Sequence, residues 1–114
     1  MSTKIRERAA FRKNAPIFAA LGDVTRLALV VKLSTGTPLS IARLTDGFTL
    51  SRQAVTKHLQ VLEEVGLVRA VRRGRENLFE LQAQPIDEAR QSLDRISRQW
   101  DVALASLKSF VERT

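Results

Sequence analysis

Leu50-Ser51-Arg52-Gln53-Ala54-Val55-Thr56-Lys57-His58-Leu59-Gln60-Val61-Leu62-Glu63-Glu64-Val65-Gly66-Leu67 is the stretch on which the fold turns. It reads as one short helix with both ends marked. Ser51 suits the N-cap, where its hydroxyl accepts from an amide two or three residues on. Gly66 suits the position just past the C-terminus, where a left-handed backbone costs glycine little. Between them Val55, Leu59 and Leu62 recur at helical spacing, with Val61 and Val65 flanking, so one face is apolar. Arg52, Gln53, Thr56, Lys57 and Gln60 fall away from that face. A merely solvated helix places acids first and bases last, to suit the macrodipole. Here the order is reversed: the donors come first, and Glu63 and Glu64 come last. An open positive N-terminus ringed by long hydrogen-bonding side chains suits a helix that enters the DNA major groove.

Composition sets the bounds around that helix. A chain of 114 residues makes one domain with a single core. We therefore expect residues 1–114 to form one unit: a basic tail 1–8, a helix-turn-helix 40–66, a wing 67–82 and a last helix 86–112. With no cysteine there is no disulfide framework, thiolate metal site or thiol switch. No apolar run approaches the roughly 18 residues of a membrane span, and the N-terminus lacks a signal-peptide core. The expected location is cytoplasmic, with no membrane partner. Net charge is +7, and it is unevenly placed. Residues 1–85 carry 14 Lys and Arg against 7 Asp and Glu, whereas residues 86–114 carry 5 of each. The excess therefore lies wholly in the part that holds the donor-rich helix, which favours a polyanion partner.

Upstream, Met1 to Arg8 is expected to be loose, or helical only where it docks. From about Ala9 to Leu21 the residues favour helix, with Phe11, Ile17, Phe18 and Leu21 apolar, and Pro16 suggests a helix start near Asn14. Asp23 caps a second helix, Val24 to about Ser34, whose Leu27, Ala28, Val30, Val31 and Leu33 mark it as the central core helix. Thr35-Gly36-Thr37-Pro38 ends it. Ser40 caps a short third helix, Ile41 to Thr45, with Ile41, Ala42 and Leu44 inward, and Asp46-Gly47 is a turn. Two short helices joined by a turn, with donors on the second, make a helix-turn-helix.

Downstream, Leu67 to Arg72 and Asn77 to Leu81 are β-favouring runs. Arg73-Gly74-Arg75-Glu76 joins them, and Gly74 supplies the positive φ of a hairpin. Two strands alone are marginal in water, so this hairpin must pack on the helices. Its tip carries Arg72, Arg73 and Arg75, suited to phosphates or the minor groove. Pro85 then introduces the last helix. Ile86, Ala89, Leu93, Ile96, Trp100, Ala103, Leu107 and Phe110 step by 3, 4, 3, 4, 3, 4 and 3, with Leu104 and Val111 widening the seam. Such a helix spans on the order of 40 Å, longer than a small domain needs. A second copy of the chain is the economical cover, because a two-fold dimer buries the same patch on both sides.

These blocks together resemble a family. Phe18-Ala19-Ala20-Leu21-Gly22-Asp23-Val24-Thr25-Arg26-Leu27, the Leu50 to Leu59 stretch, Leu62 to Val68 and Arg73-Gly74-Arg75 look like the arsenical-resistance-repressor (ArsR) family of bacterial winged-helix regulators. The resemblance covers roughly residues 14–110. It implies a mainly α fold: a winged helix-turn-helix of five helices plus a two-stranded wing. It also implies a homodimeric repressor that dimerises through its first and last helices and sets its fourth helix in double-stranded DNA, typically releasing it to an inducer. The candidate DNA-binding residues are Ser51, Arg52, Gln53, Thr56, Lys57, His58, Arg72, Arg73 and Arg75. The candidate dimer residues are Phe11, Leu93, Ile96, Trp100, Ala103, Leu104, Leu107 and Phe110.

The chain departs from the family's metal sensors. Thiolate sensors carry cysteines on the third helix, and Leu39 to Leu44 has none. Other members bind metal between their last helices through His and carboxylates. The last helix here offers Asp87, Glu88, Asp94 and Asp101 but no His, whereas zinc and copper want imidazole or thiolate. The expectation is a metal-independent regulator without cofactor; whether a small molecule, a partner protein or nothing at all relieves its binding is not written in the chain. The lone His58, beside Leu59 and Leu62, reads as a half-buried packing or hydrogen-bonding residue within reach of DNA. No nucleophile–base set or phosphate-binding loop appears, so no enzyme is expected. The alternative is a protein-interaction module that uses the long last helix, with DNA binding weak or absent.

Overall fold

The computed structural model describes residues 3–113; Met1 and Ser2, the start of the expected tail, and Thr114 lie outside the described residues. The order is α1 (Thr3–Leu21), α2 (Val24–Leu33), β1 (Leu39–Ser40), α3 (Ile41–Thr45), α4 (Arg52–Glu64), β2 (Val68–Arg73), β3 (Glu76–Leu81) and α5 (Ala83–Arg113). Five helices and a small antiparallel sheet make a winged helix-turn-helix.

Local chemistry sets most boundaries. Asp23, Ser40 and Ser51 each cap a helix, accepting from the backbone N–H of Arg26, Arg43 and Ala54 respectively. Gly66, at φ 79°, closes α4. Leu67 N–H bonds the Leu62 carbonyl at 2.9 Å and Gly66 N–H the Glu63 carbonyl at 3.0 Å, the paired closure that consumes orphan carbonyls at a helix end. The core gathers Leu29 and Leu33 of α2, Leu44 of α3, Val55, Leu59 and Leu62 of α4, and Leu67 and Val68, all essentially inaccessible.

The structure differs from the sequence expectation in four places. First, no helix starts near Asn14. α1 runs unbroken from Thr3 through an exposed Pro16. A proline inside a helix costs about 3 kcal/mol, and tertiary packing offsets it here. Ile17 and Ala20 are buried after the proline, and Asn14 before it is anchored on α5, donating to Ser92 Oγ at 2.7 Å. The stretch expected to be helical only on docking does dock, since Gln99 of α5 donates to Glu7.

Second, α3 buries Leu44 alone; Ile41 is half-buried and Ala42 exposed, because five residues offer little more than one inward position. Third, α2 is apolar on two faces and buries only one. Leu29, Val30 and Leu33 face the core, while Leu27 and Val31 lie exposed. Fourth, Leu39 and Ser40 add a third strand, pairing with Phe79 and Leu78 at the outer edge of β3. Two residues carry no period that a sequence reading can detect.

α5 is the outlier in shape. At 31 residues it is about 46 Å long. Its first turns pack on α1, burying Ala89 and Ser92, and from Ile96 onward every described residue is exposed.

Candidate nucleic-acid interface

The outer face of α4 starts from its cap. Ser51 Oγ accepts the Ala54 N–H at 3.1 Å, which leaves the hydroxyl proton to donate outward. Arg52, Gln53 and Lys57 follow, all exposed, with Thr56 half-buried between them. Thr56 Oγ1 donates to the Arg52 carbonyl at 2.7 Å, so its hydroxyl proton is used inside the helix and its methyl and lone pairs face out. These four side chains surround an open depression of about 670 Å³ together with Ile41 and Gln60. Gln60 lies one turn beyond Thr56 on the same face. Spacing makes it visible in the sequence, whereas Ile41 joins only because α3 packs beside α4.

The depression is held in place from behind. Val55, Leu59 and Leu62 seat α4 on α2 and the sheet. Lys32 of α2 donates to the carbonyls of Leu44 and Asp46 and lies 4.6 Å over the Phe48 ring. That cation satisfies carbonyls at the end of α3, where a positive charge suits the helix dipole, and so ties down the turn between α3 and α4.

His58 is set apart from the other α4 candidates. Its ring turns toward α2, with Nδ1 3.3 Å from an Arg26 guanidinium nitrogen and 3.8 Å from Asp23 Oδ2. Arg26 also donates to the Ala20 carbonyl at 2.6 Å. The Asp23 carboxyl is held below the usual carboxylate range. The Arg26 backbone N–H that it caps is the main cause, and the charges of Arg26 and His58 add to it. His58 thus joins the recognition helix to the junction of α1 and α2.

The wing is a two-residue hairpin. Arg73 pairs with Glu76 across the turn, and Gly74 takes φ 60°. No other described residue of the turn has a positive φ, the pattern whose twist matches paired strands. Arg72, Arg73 and Arg75 are all exposed at the tip, and Arg72 Nε donates to the Gly74 carbonyl. Arg69, further back, is tied to Glu80. The wing arginines and the α4 donors therefore form two separate polar groups on β2–β3 and α4.

Asp87, Glu88 and Asp94 of α5 are engaged with bases. Asp87 accepts from Arg90 at 2.8 Å, and Asp94 lies 3.8 Å from the same guanidinium. Glu88 lies 3.3 Å from Lys13. Among the described residues, no group of three His, Cys, Asp or Glu side chains is placed to hold a metal ion. Among them too, no helix is long and apolar enough to cross a membrane.

A family model for a helix-turn-helix domain matches residues 21–71. The HTH-type transcriptional regulator Rv2034 of Mycobacterium tuberculosis is 31% identical over 104 residues, which cover 91% of this chain and 94% of that protein. The HTH-type regulator YuzN of Bacillus subtilis is 37% identical over 76 residues, 61% of this chain and 83% of its own. Among solved structures, an ArsR-like transcriptional regulator from Rhodococcus sp. RHA1 superposes with a TM-score of 0.74 at 34% identity, covering 90% of this chain and 95% of that one. The chain belongs to the ArsR family of winged helix-turn-helix regulators. As an ArsR-family member it is a DNA-binding transcriptional regulator and not an enzyme. The alternative of an interaction module without DNA binding falls with that assignment.

Proposed function

We propose that the protein is a cytoplasmic, metal-independent homodimeric repressor that reads a palindromic operator. The apolar stripe of α5, left open on the single chain, is the observation that carries the proposal. Leu93, Ile96, Trp100, Leu104, Leu107 and Phe110 lie on one seam and are all exposed, Trp100 at 64%. A compact chain of this mass exposes about 6,300 Å², whereas this one exposes 8385 Å². Its radius of gyration of 18.8 Å likewise exceeds the roughly 13 Å of a compact chain of this length. The excess area is of the size that a subunit of a stable dimer buries. Phe11 on α1, half-buried beside α5, extends the same seam.

In such a dimer, each α4 enters the major groove of one half-site, about 34 Å from its mate. Gln53 makes two bonds to an adenine edge, and Thr56 touches a base or a thymine methyl. Ser51, Arg52 and Lys57 hold phosphates around the positive helix N-terminus, with His58 bracing the helix from behind. Arg72, Arg73 and Arg75 meet phosphates or the minor groove, adding affinity with little sequence information. A dimer seated on an operator that overlaps a promoter occludes that promoter, and this occlusion is the proposed repression. With Asp87, Glu88 and Asp94 of α5 engaged by Arg90 and Lys13, the protein should keep its operator affinity in zinc, cadmium or arsenite; stoichiometric loss of binding would refute metal independence.

The test of the reading is a salt titration on cognate and scrambled duplexes. Gln53→Ala should cost about 1–3 kcal/mol on the cognate site and much less on the scrambled one. Arg73→Ala or Arg75→Ala should weaken both alike and lower the salt slope by roughly one phosphate equivalent per lost contact. If the wing variants lose discrimination while Gln53→Ala weakens both duplexes alike, the roles are reversed.

A further inference from the structure

Among the described residues, α2 as well as α5 carries an open apolar face. Val24, Leu27 and Val31 recur at 3 and 4 along α2 and are 87%, 49% and 62% exposed. They sit opposite Leu29 and Leu33, which are fully buried against the core. Three apolar residues in register on one helix face are not scatter, and water is their poorest neighbour.

The register between α1 and α5 shows what can reach them. Asn14 bonds Ser92 and the Glu88 carbonyl, and Glu7 bonds Gln99. α1 therefore runs antiparallel to α5, its C-terminus toward the first turns of α5. α2 begins three residues later and lies at that same end. Within one chain, Phe110 is 18 residues beyond Ser92, about 27 Å further along the axis, so a chain's own α5 terminus is remote from its α2. A two-fold partner changes this. The stripe of α5 is self-complementary when two copies run antiparallel: Leu93 meets the partner's Phe110, Ile96 the partner's Leu107, and Trp100 the partner's Ala103. That pairing brings the partner's Phe110 level with Ser92 and Asn14, and the last turn of the partner's helix runs on from there toward the end of α1 that leads into α2.

We propose that the outer face of α2, formed by Val24, Leu27 and Val31, is the seat of the C-terminal turns of the partner subunit's α5. The inference rests on the homodimer proposed above and adds a second contact to it. The patch is too small for an independent protein partner, which needs about 800 Å² per side. It suffices as a continuation of a seam already closed by α5. The seat also reaches the reading head, because α2 holds α4 on its other side through Leu29, Leu33 and the Arg26–His58 contact. Dimer geometry is thereby passed to the recognition helix through one short helix.

The chain has no cysteine, so single introduced thiols report without background. Two full-length copies with different tags are co-expressed. One carries Val24→Cys, Leu27→Cys or Val31→Cys, and the other Leu107→Cys, Phe110→Cys or Val111→Cys. All six positions are exposed on the single chain, so folding is preserved. Mild oxidation or a short bismaleimide should yield a covalent heterodimer in at least one combination. In parallel, Leu27→Ser with Val31→Ser should raise the dimer dissociation constant about tenfold or more. If light scattering shows a dimer and no combination cross-links, the seat on α2 is wrong and the homodimer stands. If the wild type is a monomer at micromolar concentration, the homodimer and the seat fall together.

Discussion

α4 and α5 are both amphipathic helices with an uninterrupted apolar stripe, yet their stripes meet opposite fates. Val55, Leu59 and Leu62 of α4 are wholly buried inside the chain, and its polar face looks outward. Leu93 through Phe110 of α5 stand in solvent on the single chain. The difference lies in length and place. α4 has 13 residues, short enough for α2, α3 and the sheet to cover one side of it. α5 has 31, and only its N-terminal half meets α1. Periodicity thus states that a face will be covered; it is silent on whether the cover comes from the same chain. The two helices divide the labour accordingly, one offering its polar side to DNA and the other its apolar side to a second copy.

The contrast can be broken most forcefully at α5. Leu107→Asp puts a charge into the seam of both subunits at once, and light scattering at micromolar concentration should show monomer or aggregate in place of dimer. Its thermal unfolding should stay cooperative, because no core residue is touched. A dimer that survives this change would place the interface elsewhere.

The matching change in α4 acts on a different property. Leu59→Ala opens a cavity in the chain's own core and should cost about 2–5 kcal/mol of stability in a denaturant titration. The oligomeric state of the remaining folded fraction should be unchanged. Destabilisation well below that range would mean that the α4 stripe is not packed as described.

The smallest expected effect sharpens the link between the two regions. Asp23 caps α2, and its carboxyl is held low, first by the Arg26 backbone N–H and then by Arg26 and His58. A carboxyl whose pKa is lower in the folded state stabilises the fold fully above its unfolded value. That contribution drains away as pH falls through the unfolded value toward the folded one. Asp23→Asn keeps a capping oxygen and removes the charge. The variant should therefore melt below the wild type at neutral pH, and the two curves should converge in acid, below the ordinary carboxylate range. A gap that is constant with pH would show that the charge contributes nothing.

Much of the architecture was legible because its signals are local. Ser40, Ser51, Asp23, Gly66 and Gly74 act within a few residues of themselves, and each does in the structure what its chemistry suggested. The failures share one cause. The local meaning of Pro16 is a helix start, and the cover that Asn14, Ile17 and Ala20 find on neighbouring helices overrides it. The strand Leu39–Ser40 exists only because Phe79 and Leu78 present an open edge. On α2, the apolar character of Leu27 and Val31 points to the core, yet a ten-residue helix that meets the body on one side cannot bury its whole circumference. The candidate site followed the same rule. Arg52, Gln53, Thr56 and Lys57 share a face by spacing alone, whereas the turn of His58 toward Arg26 and the presence of Ile41 beside Gln60 needed the third dimension.

By itself, then, the sequence determined the ends of α2, α3 and α4, the hairpin turn, the donor-rich face of α4 and the seven-residue period of α5. Backbone capping, glycine φ and side-chain spacing are properties of neighbouring residues, and they are complete in one dimension. Only the tertiary structure decided which apolar faces the chain covers for itself. Burial is a contest among elements distant in sequence for a limited area of contact, and α2 and α5 each carry more apolar face than their own chain can cover.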